Sequence, residues 1–129
     1  VKDGYGLKKL VNNGIIPVIS TSGESIINLT RFRSLGIQEI NQGIFDKYQH
    51  LKGLLKKYKC DFSNVAYIGD DENDLECIRA CGFTACPSDS ANEIKDSVDF
   101  ICSHKGGNGA VREFIEILIT KTANRRKFW

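Results

Sequence analysis

Short apolar runs alternate with amphipathic segments from one end of the chain to the other, and this alternation predicts its secondary structure. The apolar runs predict strands at residues 15–20, 37–40, 65–68, 83–86 and 98–102. Apolar residues at helical spacing predict helices at residues 6–12, 25–35, 46–58, 75–81, 91–96 and 110–120. Pro17 indicates a strand start or a sheet edge, because proline has no N–H group to donate.

Strands that alternate with helices predict an α/β fold, with a doubly wound, Rossmann-like parallel sheet and helices on both of its faces. No internal repeat, linker or low-complexity tract divides the sequence. We therefore expect a single domain over residues 1–122, followed by a loose basic tail over residues 123–129. In sheets of this kind, the polar residues that follow the strands meet in one crevice at the carboxyl edge.

Composition and charge are those of an ordinary globular protein and argue against several other classes. The 129 residues are enough for one hydrophobic core. The net charge of +2 is too small to indicate binding to nucleic acid or to a membrane. No apolar run approaches the ~20 residues of a transmembrane helix, and no signal-peptide pattern is present. Five cysteines without a Cys-x-x-Cys pair argue against a zinc site or a disulfide framework, and we expect a cytoplasmic protein.

A cluster of acidic residues follows the predicted strand at residues 65–68, after a turn at Gly69. Its members are Asp70, Asp71, Glu72 and Asp74. Carboxylates this close repel one another, so they require either exposure to water or a neutralising cation. Hard oxygen ligands of this kind suit Mg²⁺. The alternative is a solvated acidic turn that favours the dipole of the next helix, for which Asp74 is a plausible N-cap.

Two further polar positions follow neighbouring predicted strands. Ser20, Thr21 and Ser22 come at the end of the strand at residues 15–20, and Lys47 comes near the start of the helix after the next strand. Hydroxyls, an ammonium group and paired carboxylates that converge on one crevice suit a phosphate monoester. Each group also has an ordinary explanation, because hydroxyls commonly cap helices and a lysine in a first turn is commonly solvated.

The Gly-Asp-x-x-x-Asp pattern of residues 69–74 resembles the fourth motif of the haloacid dehalogenase superfamily, whose aspartates bind Mg²⁺ in phosphate-ester hydrolases. Further matching segments run over nearly the whole chain: Lys2–Gly6, Val18–Thr21, Gln42-Gly43 with Lys47, Asn64–Asp74 and Gly106–Glu113. Together they resemble the phosphatases of 3-deoxy-manno-octulosonate 8-phosphate and of nonulosonate 9-phosphates. These sugar acids belong to lipopolysaccharide and sialic acid biosynthesis. The chain is also similar to the phosphatase-like C-terminal domains of some acylneuraminate cytidylyltransferases.

This resemblance implies roles for residues of the predicted crevice. Thr21 would be the phosphate-binding hydroxyl, with Ser20 as the less favoured substitute. Lys47 would steady the transferring phosphoryl group. Asp70 would be a ligand of Mg²⁺, and Asp74 would support it.

The resemblance also implies substrate contacts and an assembly. Ser22 and Gly23 stand where these phosphatases usually have Gly-Arg or Gly-Glu after the threonine, and we expect them to contact substrate. The glycine-rich segment 106–112 resembles a tail that helps to close a neighbouring subunit's site in a tetramer, which predicts a homo-tetramer. Arg112 would then meet a substrate carboxylate through a bidentate pair, or else be a surface residue at a helix start. Asn108 replaces an arginine that many of these phosphatases have.

One part of the family pattern is missing from the sequence. Such enzymes begin with an apolar strand that ends in Asp-x-Asp, which supplies the nucleophile and the general acid/base, and no such element is present. Two hypotheses follow. The chain belongs to a Mg²⁺-dependent phosphatase of sugar-acid phosphates whose first strand is missing from this sequence, or it is a non-catalytic oligomerisation or regulatory domain. A phosphoacceptor of the response-regulator type fits less well, because the Gly-Asp-Asp-x-x-Asp turn and the glycine-rich segment do not match it.

Overall fold

The computed structural model describes residues 8–20, 39–107 and 109–126, with the backbone alone for residues 123–126. The chain divides into two compact units. One comprises Val1–Phe45 with Ile115–Trp129, and the other comprises Asp46–Phe114. Thr21, Ser22, Gly23 and Asn108 lie outside the described residues, as does the helix predicted at residues 25–35.

The first unit contains a helix, α1 (residues 8–12), and two parallel strands, β1 (Val18–Ser20) and β2 (Glu39–Asn41). β1 begins directly after Pro17, as the missing N–H of proline predicts. Leu10 and Ile115 are buried at its core. The partly buried apolar residues that pack against them are Ile15, Ile19, Ile40, Leu118 and Ile119.

The second unit alternates helices with strands, as the sequence predicts. Its elements are α2 (Lys47–Tyr58), β3 (Ala66–Ile68), α3 (Leu75–Ala80), β4 (Phe83–Cys86), α4 (Asn92–Lys95), β5 (Phe100–Ile101) and the start of α5 (Ala110–Arg126). The three strands form a parallel sheet in the order β3-β4-β5. Their carboxyl ends therefore lie side by side, and the residues that follow them share one edge of this sheet.

Apolar side chains from α3 and α4 cover this sheet. Leu75, Ile78, Cys86 and Ile94 form the buried cluster, with Tyr67 and Val98 packed against it. Helix α2 presents Leu55 to the interior and keeps Lys52, Lys56 and Lys57 exposed, as its periodicity predicts. Asp46 begins α2, because its carboxylate accepts the backbone N–H of Gln49 at 3.1 Å.

Several element boundaries differ from the predicted ones, and β1, for example, begins at Val18, whereas the apolar run predicts a strand from residue 15. β5 covers two residues, whereas the apolar run predicts a strand over residues 98–102. α5 continues to Arg126, whereas the predicted helix ends at residue 120, so the segment expected to be a loose tail is helical over residues 123–126. No glycine or proline interrupts residues 110–126 to end the helix, and the Thr120 and Thr122 hydroxyls donate to carbonyls one turn back. Among the described residues, no helix is both long and apolar enough to cross a membrane.

Candidate functional site

The turn after β3 is built around the buried carboxylate of Asp74, which is only 2% exposed. Its Oδ2 accepts the backbone N–H groups of Asp70 at 3.1 Å and Asp71 at 3.0 Å. Asp74 occupies the N-cap position of α3 but makes no capping bond there, so its predicted role as a helix cap is wrong. The physical reason is that the carboxylate points back along the chain and satisfies the N–H groups of the turn that precedes the helix.

The second oxygen of Asp74 joins this turn to the start of α2. Asp74 Oδ1 accepts a hydrogen bond from Lys47 Nζ at 2.9 Å and another from the Tyr67 hydroxyl at 2.5 Å. Burial by itself would raise the pKa of Asp74, but the hydrogen bonds from Tyr67, Lys47 and the Asp71 N–H hold that pKa below its ordinary value. Asp74 is therefore an ionised carboxylate with its charge paired, and it fixes the direction in which the Lys47 ammonium group points.

Tyr67 is a member of this network that the sequence analysis does not identify. It lies in β3 and is half-buried. Burial, followed by the hydrogen bond to Asp74, raises the pKa of its hydroxyl far above the ordinary value. A tyrosine hydroxyl that is partly buried in a strand usually has a hydrogen-bond partner. An acidic residue in the following turn is a natural candidate for that partner, so the pairing could have been inferred from the sequence.

Asp70 has a different environment from Asp74, although the two lie four residues apart. It is exposed at the carboxyl end of β3, and no side chain among the described residues forms a hydrogen bond or ion pair with its carboxylate. Burial, and then the negative charges of Asp71 and Asp74, raises the pKa of Asp70, while Lys47 only partly offsets them. The Asp70 carboxylate is an exposed hard oxygen donor with excess negative charge around it. A divalent cation bound there would neutralise that charge.

Asp70 is therefore a suitable ligand for a metal ion, but the described residues do not supply a complete set of side-chain ligands. In residues 8–20, 39–107 and 109–126, no group of three or more His, Cys, Asp and Glu side chains could by itself hold a metal ion. A complete set of ligands made of such side chains would have to include groups beyond that described part.

The loops after β4 and β5 meet at the same edge of the sheet. Asp89, which follows β4, accepts the backbone N–H of Gly106 at 2.9 Å. A Cβ placed on Gly106 would lie 3.6 Å from Asp70 Oδ2, so the glycine-rich loop runs directly beside the Asp70 carboxylate. Asp89 is a second residue that the sequence analysis does not identify. Its only signal is its position three residues after β4, a strand that pairs with β3.

The structure brings together three of the residues selected from the sequence: Lys47, Asp70 and Asp74. Arg112 lies in the first turn of α5 and is half-buried. Ser20 is the last residue of β1 and is also half-buried. The other selected positions (Thr21, Ser22 and Gly23) fall among the residues that are not described, and their roles stay predictions.

Gly69 permits the turn around Asp74, because a Cβ there would lie 2.5 Å from Asp74 Cγ. Gly69→Ala is expected to lower the free energy of unfolding by about 1–3 kcal/mol, since the methyl group overpacks the carboxylate. Gly53→Ala is the matched control. A Cβ at Gly53 meets nothing within 4 Å, so alanine within α2 is expected to raise that free energy by about 0.5–1 kcal/mol. Urea denaturation measures both, and changes of the same sign would contradict the packing argument.

Comparisons with known proteins agree with this geometry. A family model described as haloacid dehalogenase-like hydrolase matches residues 24–115. The chain is 33% identical over 119 residues to a 3-deoxy-D-manno-octulosonate 8-phosphate phosphatase from Haemophilus influenzae, an alignment that covers 92% of this chain and 66% of that protein. It is 32% identical to the phosphatase of the same name from Yersinia pestis, over 92% of this chain and 64% of that protein. The chain thus spans less than two thirds of the length of these two curated relatives.

Solved structures give the same result for the fold. The 3-deoxy-D-manno-octulosonate 8-phosphate phosphatase of Moraxella catarrhalis, in complex with a magnesium ion, a phosphate ion and a KDO molecule, matches with a TM-score of 0.88 and 40% identity. That alignment covers 99% of this chain and 76% of that one. The cobalt-bound phosphatase of Haemophilus influenzae matches with a TM-score of 0.86 and 33% identity over 95% of this chain and 71% of that one. These likenesses confirm the predicted α/β fold with parallel strands.

Proposed function

The chain belongs to the haloacid dehalogenase-like hydrolase family, and from this premise we propose that it forms the α/β domain of a Mg²⁺-dependent phosphatase of sugar-acid phosphates. The proposed substrates are 3-deoxy-manno-octulosonate 8-phosphate or a nonulosonate 9-phosphate. The relatives at 33% and 32% identity bear the name of an octulosonate phosphatase. Because the chain spans only part of their length, the activity, the substrate and the predicted homo-tetramer are all proposed here.

One observation carries the proposal: a lysine is held by a buried carboxylate, beside an exposed carboxylate with which no described side chain pairs. The Lys47 ammonium group lies 2.9 Å from Asp74 Oδ1, and its side chain is only 12% exposed. An ion pair kept merely for stability would not require a second carboxylate nearby, that of Asp70, whose charge Lys47 offsets only in part. A phosphate ester requires both features, namely a fixed cation for its oxygens and a hard ligand for a divalent metal.

Asp70 is the residue of this chain that would hold Mg²⁺, with Asp74 supporting it through the turn. When bound, the ion supplies positive charge that polarises a phosphoryl oxygen. Lys47 would neutralise charge on the transferring phosphoryl group, in an orientation that Asp74 and Tyr67 fix before substrate arrives. Thr21 would donate its hydroxyl to a phosphate oxygen. Arg112 would pair with the carboxylate of the sugar acid.

The remaining requirement is a nucleophile. Hydrolysis through an aspartyl-phosphate needs a carboxylate that attacks phosphorus, and the 129 residues contain no Asp-x-Asp sequence. In this proposal, the residues named above bind and orient the substrate, and the attacking carboxylate is assigned to none of them.

A second candidate function requires no nucleophile. In that alternative, the domain is a non-catalytic oligomerisation or regulatory module of an acylneuraminate cytidylyltransferase-type protein. The site around Asp74 would then persist for its contribution to folding, and neither sugar-acid phosphate would be hydrolysed.

Phosphate release distinguishes the two functions. We expect the full-length protein that contains this chain to release phosphate from an octulosonate 8-phosphate or a nonulosonate 9-phosphate in the presence of Mg²⁺. Lys47→Met should lower kcat by about 10²–10³-fold, because a fixed cation at the phosphoryl group is lost. Lys56→Met, which removes an exposed lysine from the same helix, is the control and should leave kcat unchanged. A folded protein that hydrolyses neither ester would favour the non-catalytic module.

A further inference from the structure

The loop between β5 and α5 is tied to the first turn of α5 by the carboxylate of Glu113. The backbone N–H of Ser103 donates to Glu113 Oε1 at 2.9 Å and to Oε2 at 3.0 Å. The N–H of His104 donates to Oε1 at 3.2 Å, and His104 Nδ1 lies 2.9 Å from the same oxygen. The Ser103 hydroxyl is also within hydrogen-bond distance of both oxygens, at 3.2 Å. One side chain thus holds the backbone and side-chain donors of two consecutive residues.

Two other contacts fix the same loop to the end of β4. The backbone N–H of Ser88 donates to the carbonyl oxygen of His104 at 2.9 Å. Two residues further along, Gly106 donates its N–H to Asp89. Gly106 is also the residue that lies beside Asp70 Oδ2. The bonds to Glu113 therefore hold the part of the loop that leads directly to the neighbour of Asp70.

Stability alone does not account for this arrangement. The His104 side chain is 57% exposed, and ion pairs in such surroundings contribute little to folding. The Glu113 side chain is only 18% exposed. Burial would raise the pKa of Glu113, but the hydrogen bonds from His104 and Ser103 outweigh it and lower that pKa. The Glu113 carboxylate accepts the backbone N–H groups of Ser103 and His104, and these bonds define the position of the loop.

We propose that Glu113 is a positioning residue, which holds the β5–α5 loop so that Gly106 stays against the Asp70 carboxylate. The proposal rests on the proposed function in one respect, because Asp70 matters there as the metal ligand. Gly106 presents only backbone at this point, so it borders the Asp70 carboxylate without covering it. Arg112 precedes Glu113 in the first turn of α5. Because Glu113 holds the loop to this turn, it also fixes the position of the loop relative to Arg112.

Amide hydrogen exchange measured by NMR tests the positioning on the chain itself. Glu113→Gln replaces one acceptor oxygen with an NH₂ group that faces the Ser103 and His104 donors. We expect exchange at Ser103 and His104 to rise at least about tenfold. Exchange at Gly106, which is bonded to Asp89 and not to Glu113, should rise as well. Cys102, whose N–H donates to Cys86 O within the sheet, should be unchanged.

The response of Gly106 decides the result. Faster exchange at Ser103 and His104 with unchanged exchange at Gly106 would overturn the proposal, because the carboxylate would then act only on its direct partners. Glu113→Asp provides a second test if the glutamine variant is unstable, since it keeps the charge at the helix start and withdraws the oxygens by one methylene. Glu93→Gln is the matched control, an exposed glutamate in the first turn of α4, and it should change none of these amides.

Mn²⁺, added as a paramagnetic divalent ion to the full-length protein, separates this inference from the proposed function. In the wild type, we expect it to broaden the amide signals of Asp70, Asp71 and Gly106. In Glu113→Gln, the broadening should persist at Asp70 and Asp71 and fall several-fold at Gly106. Equal broadening of Gly106 in both proteins would overturn the positioning role. If Mn²⁺ broadens none of these amides in the wild type, the metal site of the proposed function is wrong, and the exchange rates still decide the role of Glu113.

Discussion

Replacing Asp74 with asparagine is expected to lower the free energy of unfolding by about 3 kcal/mol. The asparagine amide keeps one acceptor oxygen and turns an NH₂ group toward donors, either toward Lys47 and Tyr67 or toward the two backbone N–H groups of the turn. The Lys47 side chain is 12% exposed and reaches some water, so the loss should fall at the lower end for a broken buried pair. Urea denaturation measures it.

The partners of Asp74 provide the controls for this result. Tyr67→Phe removes one neutral donor and keeps the ring, so a smaller loss of about 1 kcal/mol is expected. Lys47→Met leaves Asp74 with the Tyr67 hydroxyl and two backbone N–H groups, so its loss should also be smaller than that of Asp74→Asn. An effect of Lys47→Met that equals or exceeds the effect of Asp74→Asn would contradict the view that the turn depends on this carboxylate.

The stabilisation by Asp74 is expected to depend on pH in one direction. Although burial would raise the pKa of Asp74, the hydrogen bonds from Tyr67 and Lys47 place it below the ordinary value of 3.8. An acid whose pKa is lowered by folding stabilises the fold above its unfolded-state pKa and loses that contribution as the pH falls through its folded-state pKa. The stability difference between wild type and Asp74→Asn should therefore be constant between about pH 7 and pH 5 and shrink below about pH 4. A difference that grows on acidification would contradict this assignment.

Replacing Asp70 with asparagine is expected to weaken Mg²⁺ binding at least about 100-fold, while the protein remains as stable as the wild type without metal. Loss of a direct ligand should cost no less than the 10–100-fold typical of residues that only orient ligands. Burial and the charges of Asp71 and Asp74 raise the pKa of Asp70, so its ionised form is disfavoured by folding in the absence of a cation. Removing that charge should leave stability unchanged or slightly increased. Calorimetric titration of the full-length protein with Mg²⁺, together with urea denaturation, measures both effects.

Glu72→Gln is the matched control for Asp70→Asn. It removes the same charge from an exposed residue of the same turn, so a general loss of negative potential would weaken Mg²⁺ binding equally in both variants. Unchanged affinity in Asp70→Asn would remove Asp70 from the metal site. A large loss of stability in Asp70→Asn would show that its carboxylate has a structural role.

Much of the second unit could be predicted from local patterns in the sequence. The periodicity of α2 identified its buried and exposed sides, and the run at residues 83–86 coincides with β4. The prediction is less accurate where tertiary contacts decide the boundary. α5 runs six residues past its predicted end, while Leu118 and Ile119 pack in the core of the first unit. Periodicity does not show where a helix ends when neither glycine nor proline follows.

The acidic turn of the candidate site could be located from the sequence, but the different environments of its carboxylates could not be predicted. The turn after β3 was identified by its acidic residues, and Lys47 by its place near the start of the helix that follows the predicted strand at residues 37–40. Tyr67, Asp89 and Glu113 were not identified. Asp89 bonds to Gly106, 17 residues further along the chain, and Glu113 bonds to Ser103 and His104, 10 and 9 residues before it. These contacts depend on how the loops pack. Asp74 was assigned to the helix that follows it, whereas its carboxylate bonds to the residues before it.

The sequence by itself determined the parallel α/β fold and the acidic turn at a strand end, because periodicity and residue chemistry are local properties of the chain. Only the tertiary structure decided that Asp74 is buried and paired, while Asp70 is exposed and has no side-chain partner among the described residues. The two aspartates lie within one short turn, and they differ because a lysine 27 residues earlier reaches one of them. The loop held by Asp89, across 17 residues, brings Gly106 beside the other. Contacts over such separations depend on how strands and helices pack, and no local pattern encodes them.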